Sequence, residues 1–366
     1  MLTPDHILER FPKLSDAEME ARLEHPGKPV RAIIDTDAAN EIDDQYALAW
    51  ALLSPDRIHV EGSTAVPFSF LHHRDGIIES VRILREGGSL TDTKMGGLRG
   101  WAQRVIDAGM QAEDIKFVTP EEGEKLSFEE ILRVYDKCGV PADGKVFRGS
   151  PGYLTSFEEP IESPAADFII ERARANPDEP LYICAMGAVT NIAAAFLKAP
   201  DIIRNCVVIW TSAFPSSTPH CNRPSLNLVQ DPIASSLIFD CGVPHVYLPG
   251  YHVGAQLKIS LPEMERFVDG KGAIGSYLHH LYTHNPLHKM FAITDPEERN
   301  WVIWDVIDIA WLFDPEWVPT MLVRSPVLDD DLYWQHPEGR HLMREAWDVN
   351  RDAIFMDFYR CLERAP

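Results

Sequence analysis

Short apolar runs alternate with helix-like segments along most of the chain. VRAIIDTD, residues 30–37, is a continuous apolar run that ends in acids, which is typical of a buried parallel strand. DDQYALAWALL, residues 43–53, is apolar on nearly every face and predicts a buried helix. A second strand is predicted at 58–66 and a second helix at 75–86. This alternation predicts an α/β fold, an open doubly wound, mostly parallel sheet flanked by helices.

The alternation returns in the second half of the chain. Its predicted strands are 181–187, 206–214 and 243–250, and its predicted helices are 163–176, 190–198, 231–239, 261–268, 273–284, 304–313 and 350–363. Residues 88–145 are polar and weakly periodic, so they predict an insertion or a set of short helices on the rim. We expect a peripheral helical arm over residues 1–28 and a single α/β domain over 29–366.

Composition narrows the class of partner. The 366 residues carry a formal net charge of −22 without any basic cluster, which argues against nucleic acid. An acidic chain favours a neutral or cationic small substrate, or a bound metal. The six cysteines form no C-x-x-C pair, and we find no apolar leader and no run long enough to span a membrane. We therefore expect a cytoplasmic protein without disulfides, a zinc site or membrane contact.

The most informative chemistry lies between the first predicted strand and the first predicted helix. Within ten residues the chain carries five acids, Asp35, Asp37, Glu41, Asp43 and Asp44. Like charges at a strand end repel each other unless a cation neutralises them, and carboxylate oxygens suit a hard cation such as Ca²⁺. Helix capping explains Asp43 and Asp44 but not the acids that end the strand. Asp35 has two interpretations: its side chain stabilises the loop structurally, or it is a catalytic group.

A strand that runs into D-x-D, a short loop, D-D and an apolar helix resembles the signature of the inosine–uridine nucleoside hydrolase family. The family loop usually reads D-x-D-x-G-x-D-D. Here five residues separate Asp37 from Asp43, and the glycine is missing. The loop is therefore two residues longer, which makes Asn40 and Glu41 candidates to contact the metal or the sugar.

Three later segments match the same family in the same order. MGAVTN at 186–191 resembles its G-x-[LV]-T-N turn, LNLVQDP at 226–232 resembles F-N-x-x-x-D-P, and residues 304–315 resemble the H-D-P-L-A-x-A-x-L-L-D-P helix. Taken alone, each segment also fits an ordinary strand-to-helix turn or a helix cap. Together with the acidic loop they extend the resemblance over residues 30–315.

The resemblance implies hydrolysis of an N-ribosidic bond by calcium-activated water. Matched onto the family pattern, the metal ligands are Asp37, Asp44, Asp305 and the carbonyl of Met186. Asp37 also occupies the position of the general base that takes a proton from the water. Relatives are often dimers or tetramers, so a homodimer or homotetramer is what the resemblance implies.

The resemblance also implies how the substrate is held. Asp43 and Asn227 occupy positions that hydrogen-bond the ribose hydroxyls, and Asp305 touches the ribose as well. Trp304 stands where many relatives carry a histidine, so it can stack on the base but cannot protonate it. Ser225 and Ser69 replace a glutamate and an asparagine of the family. These departures suggest an unusual or bulkier nucleoside substrate.

Several histidines could replace the missing acid. They are His72, His73, His252, His279, His280, His284 and His288. We favour His252, because it follows a predicted strand end and so falls at the edge of the sheet where the acids gather.

Two other functions remain open from sequence. D-x-D after a strand also marks haloacid-dehalogenase-type phosphatases, in which Asp35 would be the nucleophile; that reading leaves Asp305 unexplained. The second alternative is a calcium- and ribose-binding module without turnover, suggested by the missing histidine, glutamate and asparagine. Release of phosphate from p-nitrophenyl phosphate would identify the first, and nucleoside binding without base release the second.

Overall fold

One central sheet organises the fold. The computed structural model describes residues 2–90 and 97–366. In chain order its strands are β1 (Val30–Thr36), β2 (Ile58–Ala65), β3 (Val146–Phe147), β4 (Leu181–Ala185), β5 (Cys206–Ser212), β6 (His245–Pro249), β7 (Lys258–Ile259), β8 (Trp301–Val302), β9 (Thr320–Arg324), β10 (Val327–Leu328), β11 (Trp334–Gln335) and β12 (Leu342–Ala346). Eight of them form a sheet of order β3-β2-β1-β4-β5-β6-β12-β9, while β7 pairs with β8 and β10 with β11.

The sheet is mostly parallel, which confirms the predicted fold class. β1 pairs in parallel with β2 on one side and with β4 on the other, and only β9 runs antiparallel to its neighbour β12. From β1 the chain adds β2 and β3 on one side and then β4, β5 and β6 on the other. The strand order therefore reverses direction between β1 and β4. In open α/β sheets a ligand site forms outside the carboxyl ends of the strands at such a switch point.

Helices cover both faces of the sheet. They are Asp5–Leu8, Asp16–Leu23, Asp43–Leu52, Arg74–Arg85, Arg99–Asp107, Pro120–Lys137, Pro164–Ala175, Thr190–Lys198, Leu226–Val229, Pro232–Asp240, Leu261–Glu263, Gly272–Thr283, Leu287–Met290, Val306–Phe313 and Arg351–Leu362. Successive residues of β1 face opposite sides of the sheet. Ile34 belongs to the hydrophobic core on one face and Ile33 to the core on the other. Strands buried on both faces explain why the sequence shows continuous apolar runs rather than alternation.

The segment 88–145 differs from the short rim helices that we expected. Pro120–Lys137 is one 18-residue helix, and its residues Ile131, Val134 and Tyr135 lie in the larger core. Acidic and basic residues between these positions hide the helical spacing in the sequence. Residues 91–96 of this segment, and Met1 of the expected N-terminal arm, lie outside the described residues.

The N-terminal residues pack tightly against the sheet domain. Met19 and Leu23 of the second helix are fully buried in the larger core, and Ile7 and Phe11 join the core on the other face. All six cysteines are free, and five of them are buried. Among the described helices, none is both long and apolar enough to cross a membrane.

Candidate active site

Three buried carboxylates converge at the carboxyl edge of the sheet. Asp43 and Asp44 occupy the first turn of the helix that follows β1, and Asp305 directly precedes the helix Val306–Phe313. These two helices pack against each other. One carboxylate oxygen of each of the three acids therefore lies within 4.8 Å of the others.

Asp37 lies beside this cluster, just after β1 ends. Its carbonyl accepts a hydrogen bond from the Asn40 backbone N–H at 2.8 Å, and its Oδ2 accepts one from the Asn40 side-chain amide at 3.1 Å. A Cβ added at Gly187 would lie 3.0 Å from the Asp37 Cγ, so the turn after β4 approaches this carboxylate closely. The glycine of the 186–191 motif thus has a packing role at the site.

The acids raise one another's pKa values. Burial, followed by the charges of Asp44, Asp43 and Glu41, raises the pKa of Asp37 well above its usual range. Burial raises the pKa of Asp43 to about 6, and that of Asp305 rises through burial and the charge of Asp43. No Lys or Arg among the described residues forms an ion pair with these carboxylates.

The donor set fits a hard divalent cation. All side-chain donors of the cluster are carboxylate oxygens, which suit Ca²⁺ or Mg²⁺ and require neither Cys nor His. A cation among these acids would favour their ionised forms and remove the repulsion that raises their pKa values. The electrostatics of the cluster are therefore those of a metal-binding site.

Asp35 has a structural role next to the cluster. Its Oδ1 accepts hydrogen bonds from the Thr64 hydroxyl at 2.6 Å and the Asn191 amide at 2.9 Å. These contacts tie β1 to β2 and to the helix after β4. The side chain is fully buried and does not line the adjoining cavity, so it is poorly placed to be a nucleophile. This geometry favours the structural interpretation of Asp35 and disfavours the phosphatase.

We expect the metal-free protein to lose stability as the pH rises from about 5 to 8. Burial raises the pKa of Asp35 to about 7. A group whose pKa is raised on folding stabilises the fold fully below its unfolded pKa of about 4, and this contribution is lost as the pH rises through its folded value. Urea unfolding in EDTA across this range should therefore show a shallower decline for Asp35→Asn than for wild type.

The matched control is the exposed Asp178→Asn, which removes the same charge at the surface. It should keep the wild-type pH dependence. Equal slopes for wild type and Asp35→Asn would contradict the assignment.

A cavity of about 830 Å³ opens onto the cluster. Nine of the ten site residues predicted from sequence line it: Asp37, Asn40, Glu41, Asp43, Asp44, Met186, Asn227, Trp304 and Asp305. The Asn227 side-chain amide donates to the carbonyls of Met186 and Thr211, both at 3.1 Å. The structure thus brings together segments that lie up to 268 positions apart in the sequence.

The predicted site residue that does not line the cavity is His252. Its ring is exposed and packs against Phe214 and His220 at centroid distances of 5.4 and 5.3 Å. His72 and His73, which we ranked below it, do line the cavity. They follow the end of β2, so their position at the same sheet edge was available from the sequence.

An aromatic group that the sequence analysis missed forms another part of the cavity wall. Phe291 packs edge-on against Phe70 and Trp101, with ring centroids 5.6 and 4.9 Å apart, and Trp101 in turn meets His73 at 6.2 Å. Burial lowers the pKa of His73 to about 4, so this ring is neutral at neutral pH. These residues come from distant segments without a common motif, and only the fold assembles them.

The sequence matches known proteins over most of its length. The family model described as inosine-uridine preferring nucleoside hydrolase matches residues 32–355. The non-specific ribonucleoside hydrolase RihC of Salmonella newport is 30% identical over 176 residues, which are 46% of this chain and 53% of that protein. An uncharacterized protein of Schizosaccharomyces pombe is 34% identical over 90 residues, 24% of this chain and 29% of that one. The chain thus matches about half, or less, of the length of these relatives.

Two solved structures share the fold. The purine-preferring ribonucleoside hydrolase from Gardnerella vaginalis has a TM-score of 0.60 at 19% identity, covering 91% of this chain and 98% of its own. The inosine-uridine preferring nucleoside hydrolase from Bacillus anthracis has a TM-score of 0.56 at 14% identity, covering 92% and 99%. At these identities the similarity concerns the architecture.

Proposed function

Because the chain belongs to the inosine–uridine preferring nucleoside hydrolase family, we propose that it hydrolyses the N-glycosidic bond of a ribonucleoside or related N-riboside to free base and ribose. The observation that carries this proposal is the buried carboxylate cluster of Asp43, Asp44 and Asp305, which opens into a cavity of about 830 Å³. A cavity of this size suits a small organic substrate.

We propose Ca²⁺ as the metal of this site. Asp37, Asp44, Asp305 and the carbonyl of Met186 would hold it, and substrate hydroxyls and water would complete a shell of about 6–8 oxygens. When bound, the ion supplies Lewis-acid chemistry that lowers the pKa of a coordinated water. The raised pKa values of the aspartates support the proposal, since a cation would relieve their mutual repulsion.

Side chains of the protein would accept the proton from water and bind the ribose. Asp37 would accept a proton from the water that attacks C1′ of the sugar. Asp43 and Asn227 would hydrogen-bond the ribose hydroxyls, with Asn40 and Glu41 of the longer loop beside them. These contacts hold the sugar as it passes through an oxocarbenium-like transition state.

The departing base would be held by aromatic groups. Trp304 lines the cavity and offers a flat face for stacking. His73 is neutral because burial lowers its pKa to about 4. It would therefore assist departure by donating an N–H hydrogen bond rather than by giving up an imidazolium proton. His252, exposed and outside the cavity lining, is a weaker candidate for this role.

A panel of ribonucleosides tests the proposal. We expect free base and reducing sugar to be released in the presence of Ca²⁺ and not in EDTA. The 2′-deoxy counterparts should react at least about 100-fold more slowly, because their missing hydroxyl leaves buried polar groups unpaired. The measurement is kcat/KM for each ribo and 2′-deoxy pair.

Two results would contradict this function. Equal rates for ribo and 2′-deoxy substrates would show that the ribose hydroxyls are not recognised. Ribonucleoside binding without base release would instead support a binding module on the same fold. A cytoplasmic location and a homodimeric or homotetrameric state stay predictions, which fractionation and light scattering would check.

A further inference from the structure

Arg223 is a cation on the cavity wall that has no ion-pair partner among the described residues. Its side chain is partly buried and lines the cavity. It forms no ion pair and no hydrogen bond with any residue of 2–90 or 97–366. Arg104, which also lines the cavity, differs in this respect, since its Nε donates to the carbonyl of Phe291 at 2.8 Å. Arg223 therefore has hydrogen-bond donors available for a ligand.

The backbone on both sides of Arg223 is held in place. The Tyr251 hydroxyl donates to the carbonyl of Pro224 at 2.8 Å. The Ser225 Oγ accepts from the Ala213 backbone N–H at 2.8 Å. The Asn222 side chain is likewise fixed, because its Oδ1 accepts from the Phe214 N–H at 3.0 Å. Hydrogen bonds therefore anchor the residues on both sides of Arg223 to neighbouring segments.

Neutral donors accompany the charge of Arg223. Burial, followed by the charges of His72 and Arg223, lowers the pKa of His73 to about 4. The Arg223 side chain lines the same cavity as His72 and His73, whose ring centroids are 3.9 Å apart. A guanidinium next to neutral N–H donors matches the several acceptor oxygens of a phosphate or carboxylate.

The positive charge of Arg223 lies in a cavity whose lining also carries five acids, Asp37, Glu41, Asp43, Asp44 and Asp305. The net charge of −22 disfavours anions at long range. Charges separated by more than about 8–10 Å are largely screened at physiological salt, so an anion would be held by the groups nearest Arg223 once a cation neutralises the carboxylate cluster. A cation on the carboxylate cluster would further reduce the negative charge near Arg223.

We propose that Arg223, with His73 of the same cavity lining, forms a subsite for an anionic group carried by the N-riboside. This inference rests on the proposed hydrolase function and specifies its substrate class as phosphate- or carboxylate-bearing ribosides. Arg223 lines the same cavity as Asn227, the proposed ribose ligand, so a phosphate on the sugar is one candidate source of the anion. The aromatic group lines this cavity too, so a carboxylate on the base is the other source. The anion takes no part in bond cleavage, since water still adds to C1′ and the C1′–N bond still breaks.

Binding measurements separate these two sources. Calorimetry in Ca²⁺, on an Asp37→Asn background that prevents turnover, would compare uridine with uridine 5′-monophosphate and with uridine 6-carboxylate. We expect one anionic ligand to bind at least about tenfold more tightly than uridine, as for a charge-assisted hydrogen bond. Adding Arg223→Gln should remove this preference, and Arg223→Lys should keep part of it.

The matched control is Arg174→Gln, which removes an equal charge from a surface arginine paired with Asp201. It should keep the preference for the anion. Equal affinities for all three ligands, or the same loss of preference in both glutamine variants, would overturn the subsite. Base release by the wild-type protein reports separately on the proposed function, so its failure is distinguishable from the failure of the subsite.

Discussion

Asp37→Asn should lower kcat for base release by about 10³-fold, within the range measured for loss of a general base. Asparagine has the size of aspartate and keeps an oxygen to accept the hydrogen bond from Asn40, but it cannot take a proton from water. Its amide oxygen can also serve as a Ca²⁺ ligand, so at saturating Ca²⁺ we expect KM to change only a few-fold. Steady-state kinetics on a ribonucleoside substrate would measure both constants.

Asp35→Asn is the matched control for this experiment, because Asp35 is an equally buried acid two positions earlier that does not line the cavity. It should reduce kcat less than about tenfold, as expected for a group outside the reacting geometry. Excess Ca²⁺ should not rescue Asp37→Asn if proton transfer is what is lost. A kcat for Asp37→Asn within tenfold of wild type would rule out Asp37 as the base.

Asp305→Asn should have opposite effects on the metal-free and the metal-loaded protein. Without metal, the substitution removes one of several buried acids that raise one another's pKa values, so thermal stability at about pH 8 should rise. With Ca²⁺ at about 100 times its Kd, wild type should gain about 2.7 kcal/mol from binding. The variant should gain little and should lose base release.

Thermal unfolding in EDTA and in excess Ca²⁺ would measure both effects. The surface control Asp178→Asn should behave as wild type in both conditions. A lower Tm for Asp305→Asn than for wild type in EDTA would contradict the expected relief of repulsion. A gain from Ca²⁺ as large in Asp305→Asn as in wild type would show that Asp305 is not part of the metal site.

Local sequence patterns predicted the centre of the molecule well. β1 and the helix Asp43–Leu52 are apolar on nearly every face, because each is buried on all sides, and such runs have few alternative structures. The acids at the junction of these elements were recognisable as candidate site residues, because charges beside a fully buried strand are unfavourable unless a cation neutralises them. All metal-site candidates followed from this junction and from two later motifs.

Elements that depend on distant partners were less predictable. β12 and β9 were not anticipated, because β9 is half exposed at the sheet edge and β12 becomes a strand through pairing with β6. Arg223 and Phe291 belong to segments without periodicity, and only tertiary packing brings them to the cavity. His252 follows a strand end as expected, yet the turn after β6 directs its ring toward Phe214.

The distance in sequence between the cluster's carboxylates has a consequence for biosynthesis. Asp37 leaves the ribosome about 270 residues before Asp305, an interval on the order of tens of seconds at typical rates of synthesis. During this time the nascent chain lacks the helix Val306–Phe313 that packs on Asp43–Leu52. The helix Asp43–Leu52 and its acids are therefore synthesised long before the helix that packs on them, and all three carboxylates of the cluster are present only near the end of translation. Stalling before codon 305 would leave a chain that exposes this surface and depends on chaperones.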